Sequence, residues 1–375
     1  MEQPSLVKPS VTVADVARAA GVSKATAARV LGGYGIVSDA VREKVLAAAK
    51  ALDYRPNELA RSMTTGRSGA IGVVVGDIEN PFFSAAVRGI SDVARVAGYT
   101  VILANSGEDI AAEKDAIRTL IAKRVDGLIV APSRSREIDH LREAQRSGRP
   151  LALLDRAVPE LAVDTVTGDD REAAEAATRL LIEHGHRRLA YVTACDTPEH
   201  TYRDLADIHT ASVRHRIEGF LRACETARVP SPGRSVWLGA NGRGETRTLV
   251  MNLLKSPEPP TAVLASDSLI ALEIFKVARE LRLSIPDDLS LITFHDADWT
   301  SVTSPPVTVI DQPVHQLGTA VAELLVSRLK GYGGPARHVV LPTRLVARAS
   351  VAIRDLPGTS DRSPGDLSIL PAGQR

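Results

Sequence analysis

The sequence predicts an α/β architecture: a small three-helix head, a short hinge helix, then two doubly wound α/β subdomains. Three observations carry this. Residues 12–52 hold short helical patterns separated by glycine turns. Beyond Gly66, short aliphatic runs alternate with amphipathic stretches, and the alternation starts afresh after about residue 168; strands alternating with helices call for parallel sheets covered on both faces. Aromatic residues are only 3% of the 375 while 44% are hydrophobic, so the cores must be built from Ala, Val, Leu and Ile.

In the head, Thr12 and Asp15 stand at capping-box spacing, and a helix follows with Val13, Val16, Ala17 and Ala20 along one face. Gly21 ends it, because glycine takes a left-handed turn without steric cost. Ser23 caps a second helix to Leu31, with Ala27, Val30 and Leu31 inward and Lys24, Thr26 and Arg29 outward. The small Ala17 lets the two helices cross closely. This is a helix-turn-helix whose second helix is presented to a major groove. A third helix from Ser38 brings Val41, Val45, Ala48, Ala49 and Leu52 to the same core, until Tyr54-Arg55-Pro56 stops it. Asn57 to Met63 is helix-capable over about two turns, too short to be stable alone.

The run Thr12-Val-Ala-Asp-Val-Ala-Arg-Ala-Ala-Gly-Val-Ser23, with Thr26, Arg29-Val-Leu31, Val37-Ser38, Arg42-Glu-Lys-Val45 and Leu52-Asp-Tyr-Arg-Pro-Asn57, resembles the LacI/GalR family of bacterial repressors. The resemblance continues through nearly the whole chain. It implies a homodimer on a pseudo-palindromic DNA operator, a small-molecule effector, and a body similar to periplasmic sugar-binding proteins. It implies also that Asn57–Met63 folds as a hinge helix on DNA, with the apolar Met63 wedged into the minor groove. Lys24 and Ala25 hold the positions that choose operator bases in the family; Ala28 and Gly32 replace residues commonly serine and asparagine. Lysine can donate to guanine, and Ala25 offers a methyl to thymine. DNA contacts are therefore expected from Thr12, Val13, Ser23, Lys24, Ala25, Thr26, Arg29, Tyr34, Ser38, Tyr54, Asn57 and Met63. Thr12, Ser23, Thr26, Ser38 and Asn57 are expected to position phosphates, and Lys24 and Arg29 to read bases.

In the body, strands are expected at 70–75, 99–103, 127–130 and 151–154, then at 189–192, 235–238, 262–265 and 289–292. Helices are expected near 82–97, 110–124, 136–147, 170–184, 211–227, 243–255 and 267–282. Carrying over the family's three crossings gives a DNA-binding domain 1–56, a hinge 57–67 and a core 68–355. Its N-subdomain would be about 68–167 plus 298–331, its C-subdomain about 168–297 plus 332–355. The tail 356–375, rich in Pro, Gly, Ser and Asp, is expected to be disordered; it lacks leucine heptads, which favours a dimer over a tetramer.

Ligands of such sheets sit at the carboxyl ends of the strands. Expected effector contacts are Asp77, Asn80, Phe82 and Phe83 after the first strand, Asp155 ending the fourth, Arg216, Ser266 and His295. A carboxylate accepts from hydroxyls and a guanidinium donates a fixed fork, so Asp155 and Arg216 suit a sugar. Arg216 matches a family arginine that reaches ligand hydroxyls or carboxylates. Ser266 stands where relatives commonly have asparagine, and His295 where an effector-binding aspartate is usual. Asp267 reads as a helix cap rather than a ligand group, and the stretch Thr197–Thr210 is expected to rim the cleft.

Charge separates the two parts. Residues 1–67 hold ten Lys/Arg against six Asp/Glu, while the chain totals +1, leaving the body about three units negative. A basic head on a slightly acidic body suits phosphate binding at one end. No run of 18 apolar residues and no signal-peptide pattern occur, so a cytoplasmic protein without a membrane partner is expected. Cys195 and Cys224 read as reduced thiols. His184-Gly-His186 reads as a helix-ending turn rather than a metal site, and the glycines at 239, 242 and 244 as a loop without dinucleotide spacing. No nucleophile with a neighbouring base stands out, so no enzyme, cofactor or metal is expected.

Overall fold

The computed structural model describes residues 11–54, 66–195 and 202–354. Asn57 and Met63 of the expected hinge, residues 196–201 and the tail 356–375 lie outside them.

In the head, helices Val13–Ala20, Lys24–Gly32 and Asp39–Ala51 close on Val16, Ala17, Ala27, Val30, Val45 and Ala49. The capping box forms as its spacing predicts. The Asp15 N–H donates to Thr12 Oγ1 at 3.4 Å, and Asp15 Oδ2 accepts from the Thr12 N–H at 3.0 Å. Gly21, at φ 65°, ends the first helix in the left-handed region. With so few and such small core residues, the caps matter, at about 1 kcal/mol each.

The body holds two six-stranded sheets. Across the first lie β11 (His338–Leu341), β5 (Asp164–Gly168), β4 (Leu151–Leu154), β3 (Gly127–Val130), β1 (Ala70–Val75) and β2 (Thr100–Asn105). Across the second lie β12 (Arg344–Val346), β10 (Thr308–Asp311), β9 (Ser290–Phe294), β8 (Ala262–Ala265), β6 (Leu189–Val192) and β7 (Val236–Trp237). The orders match place for place, so β4 and β5 of one lobe correspond to β9 and β10 of the other. The end strands break the likeness: β11 runs parallel to β5, whereas β12 runs antiparallel to β10.

The crossings differ from expectation. Residues 298–331 were to belong to the first lobe, yet β10 pairs with β9 through Thr308↔Ile292 and Ile310↔Phe294. Residues 332–355 were to belong to the second, yet β11 pairs with β5 through Val339↔Val166. The second and third crossings therefore fall between β10 and the helix Val314–Leu329, and between β11 and β12. A short strand such as Thr308-Val-Ile-Asp311 carries no local signal for which sheet it joins; only its buried neighbours decide. The expected strand 235–238 shortens to Val236–Trp237, because Pro232–Ser235 takes a 3-10 turn.

Helices pack closely where glycine permits it. A β-carbon on Gly89 of helix Pro81–Val96 would strike the His315 carbonyl, and one on Gly318 the Ala86 carbonyl. In the second lobe, a β-carbon on Gly219 of helix Ala211–Thr226 would strike the Arg171 carbonyl. These contacts bring the backbones of facing helices together over the sheets.

Candidate functional site

The head presents Lys24, Ala25 and Arg29 exposed on its second helix. Two of the expected hydroxyls are already shaping that helix: Ser23 Oγ accepts from the Thr26 N–H at 3.1 Å and lies 2.8 Å from Thr26 Oγ1. Ser38 precedes the third helix and makes no side-chain cap there. Val13 and Tyr54 lie half-buried against the head's core, so only one edge of each faces outward. The Tyr34 ring folds over Gly32, where a β-carbon would strike it, and remains 42% exposed. Gly35 lies against the aliphatic stem of Arg29, 3.3 Å from Cδ to a would-be β-carbon. Glycines at 32 and 35 thus let the turn tuck beneath the outward arginine.

The second group of sites lies at the carboxyl ends of the two sheets. Asp155 follows β4 and His295 follows β9, at corresponding places. Both are non-glycine residues in the left-handed region, at φ 67° and 69°. Both donate their N–H to the adjacent strand, Asp155 to the Val166 carbonyl at 2.8 Å and His295 to the Ile310 carbonyl at 2.9 Å. Such a backbone costs of order 1 kcal/mol or more and persists where the surroundings enforce it. Asp155 Oδ1 and His295 Nδ1 are each buried without a hydrogen-bond partner. Burial holds the His295 imidazole below its ordinary pKa, so it is neutral at neutral pH.

The charge of Arg216 reaches both. Arg216 Nε donates to Asp170 at 2.7 Å, its Nη1 to the Ser266 carbonyl at 2.7 Å, and its guanidinium lies 4.1 Å from the centre of the Phe294 ring. The charge of Asp155 is felt at both Arg216 and Asp170, and that of Arg216 at His295 and Asp267. Burial pushes the Asp170 carboxyl upward while Arg216 pulls it back. The buried Tyr191 hydroxyl stands beside Thr193 without a well-formed bond, and burial raises its pKa. Arg156, next to Asp155, is gripped by Glu108 at 2.6 and 2.7 Å and lies 5.6 Å from the centre of the Phe83 ring.

Other expected residues have local duties. Asn80 Oδ1 accepts from the Phe82 N–H at 3.0 Å, and Asp77 Oδ1 from the Glu79 N–H at 2.9 Å. Phe82 and Phe83 meet edge to face, with ring centres 5.3 Å apart, inside the first lobe's core. Asp267 caps its helix, accepting from Leu269 and Ile270 at 2.8 and 2.9 Å, the role its position predicts. Gly185 ends a helix in the left-handed region, and both His186 nitrogens find protein partners, Thr261 Oγ1 and the Ala352 carbonyl. Cys195 and Cys224 are both buried and neither is in a disulfide, and burial pushes Cys224 up to about 12.

Sequence reasoning missed Asp170, Tyr191 and a strap across the lobes. Ser135 donates from both its N–H and Oγ to the His209 carbonyl, at 2.8 and 2.6 Å, and Thr210 Oγ1 donates to the Ser133 carbonyl at 3.0 Å. The only forewarning was the long stretch ending at Thr210. Asp170 sits in an Asp169-Asp170 pair that reads as an ordinary helix start.

Comparison with known proteins agrees with this geometry. Residues 12–57 match the model for bacterial regulatory proteins of the lacI family, and residues 178–351 that for a periplasmic binding protein-like domain. The ribose operon repressor of Halalkalibacterium halodurans is 32% identical over 90% of this chain and 96% of its own. Among solved structures, the lac repressor dimer bound to operator and the anti-inducer ONPF is 25% identical, with a TM-score of 0.77 over 92% of this chain and 99% of that one. A transcriptional regulator CelR–cellobiose complex is 28% identical, with a TM-score of 0.65 over 91% of this chain and 99% of that one. Head, paired sheets and full-length relatives agree, and the chain belongs to the LacI family of bacterial transcriptional regulators.

Proposed function

We propose that the chain is a homodimeric, cytoplasmic repressor whose hold on a pseudo-palindromic operator is set by a small sugar-like molecule bound between the two lobes. Two-fold protein symmetry calls for two-fold DNA symmetry. The observation that carries the ligand half is the pair of unpartnered buried atoms, Asp155 Oδ1 and His295 Nδ1, at corresponding strand ends within reach of the Arg216 charge. Leaving such an atom unpaired costs about 1–3 kcal/mol, which a ligand would recover. Arg216 Nη2 is the end of the guanidinium left for that ligand, and Ser266 borders it through its carbonyl. Relatives named for ribose and cellobiose support a sugar.

Base reading falls to Lys24, Ala25 and Arg29, and phosphate positioning to Thr12, Ser23, Thr26, Ser38 and Asn57, with Val13, Tyr34 and Tyr54 beside them. The hinge 57–67 would transmit the state of the body, Met63 serving as the minor-groove wedge. The relatives are named as repressors and transcriptional regulators, which favours a regulator over an enzyme. Footprinting of the full-length protein on its own promoter region tests the reading. Protection of a symmetric site, altered by a sugar, is expected; no sequence-selective protection in either condition contradicts it. Met63→Gly is expected to weaken operator binding far more than random-DNA binding, and equal losses would remove the wedge.

A further inference from the structure

Three crossings of the chain join the two lobes, and hydrogen bonds add a fourth connection. It lies where the loop after β3 meets the residues leading into helix Ala211–Thr226, the helix that carries Arg216. On the second lobe's side, Thr210 stands at the N-cap of that helix, where a threonine ordinarily bonds an amide of the first turn. It makes no such bond. Its Oγ1 donates instead to the Ser133 carbonyl of the first lobe at 3.0 Å. The neighbouring His209 carbonyl accepts from both the N–H and the Oγ of Ser135, at 2.8 and 2.6 Å. Ile208, wholly buried in the second lobe's core, fixes this segment from behind.

The first lobe's side is held as firmly. Glu113 of helix Ile110–Ala122 is wholly buried, and a carboxylate in that setting is costly unless its oxygens are bonded. Its Oε2 accepts from the Ser133 N–H and Oγ, both at 2.6 Å, and its Oε1 lies 2.6 Å from His140 Nε2. The Ala131 N–H donates to the Val74 carbonyl, and the Pro132 carbonyl accepts from Arg156. Ser133 and Ser135 are themselves buried, so water competes poorly for their bonds. Each segment is fixed within its own lobe, so the three bonds between them break together when the lobes part. We infer that Ser133 and Ser135, with His209 and Thr210, form a latch that holds the lobes together in the ligand-free protein, and that Glu113 positions its first-lobe half. The latch needs no ligand, so it works whatever the effector is, and it sets how often the empty lobes part.

Hydrogen–deuterium exchange, resolved to single residues on the full-length protein without added sugar, tests this. The Ser135 amide leaves the His209 carbonyl when the latch opens, whereas the Leu128 amide, bonded to the Pro150 carbonyl at 2.9 Å, reports on the first lobe alone. In the wild type, the Ser135 amide is expected to exchange at least about 100-fold more slowly than in an unstructured peptide. Thr210→Val keeps the shape and removes one hydroxyl. It is expected to speed Ser135 exchange about two- to tenfold, the range for one neutral hydrogen bond, with Leu128 unchanged. Thr210→Ser returns the hydroxyl and is expected to restore the wild-type rate. Glu113→Gln, checked for a cooperative melt, is expected to speed Ser135 about tenfold or more, because bonds to a carboxylate are the stronger ones. An unprotected Ser135 amide in the wild type, an unchanged rate in Thr210→Val, or a Thr210→Ser as fast as the valine variant overturns the latch. So does an equal acceleration at Leu128, which would give Thr210 a part in general stability instead. All of these outcomes leave the ligand-controlled regulator standing, since footprinting judges that separately.

Discussion

The two lobes repeat one backbone and fill it with different chemistry. Each sends its third-place strand, β4 or β9, into a left-handed residue whose N–H is tied to the strand beside it, β5 or β10. The first lobe puts an acceptor-only carboxylate there and the second an imidazole. Their arginines differ as well. Arg156 is held chiefly by Glu108, whose side chain is 41% exposed, with buried Asp155 3.5 Å away, while Arg216 is held by Asp170, whose side chain is 2% exposed. The lesson is that the fold supplies direction, and the side chain at each strand end supplies selectivity. An exposed partner can be re-solvated when its mate is lost; a buried one cannot.

That difference can be broken by substitution, and the largest effect is expected at Arg216. Arg216→Ala strands the buried Asp170 carboxylate, a loss on the order of 3–5 kcal/mol, and abolishes the response to effector. Arg156→Ala leaves Glu108 in water and deprives buried Asp155 only of a longer contact, and is expected to cost less, about 2 kcal/mol. Urea denaturation of both variants checks the order; equal losses would mean that burial does not separate the lobes. Next come the helix contacts. Gly318→Ala in one lobe and Gly219→Ala in the other each push a methyl onto a facing carbonyl, and each is expected to cost about 2–3 kcal/mol by thermal melting.

A pH test sharpens the comparison at the far edge of the first sheet. Arg328 and Arg337 clamp Asp164, with contacts at 2.7–2.9 Å, and hold its carboxyl far below the ordinary value of 3.8. The unfolded chain therefore binds this proton more readily, so the contribution is complete above pH 3.8 and is lost as pH falls below it. Asp164→Asn should cost on the order of 2 kcal/mol at pH 7, and the gap from wild type should narrow on acidification. Smallest is the strap. Thr210→Val with Ser135→Ala removes two of its three bonds and is expected to weaken effector binding only a few-fold, read by calorimetry.

The sequence showed most of this fold where burial leaves an unbroken aliphatic record. Ala70–Val75, Gly127–Val130 and Leu151–Leu154 are buried throughout and were expected within a residue of where they lie. Asp164–Gly168 and Thr308–Asp311 were not, since threonine and aspartate interrupt the pattern that marks a strand. Helix Val314–Leu329 also went unread, and with it the second crossing. The site divides the same way. Asp155, Arg216 and His295 could be picked out from strand ends and family likeness. Asp170, Tyr191 and the Ser135–His209 contact could not, because their meaning depends on where the chain crosses between sheets.

The central claim is that filling the cleft between the lobes changes the grip of the head on DNA. The direct measurement is fluorescence anisotropy of the full-length protein on its own operator, with and without a saturating neutral sugar shown to bind by calorimetry. A change in Kd of roughly 5–150-fold is expected, the usual scale of such coupling, and it should vanish in Arg216→Ala. An operator Kd that stays the same with the cleft empty and filled would contradict the account.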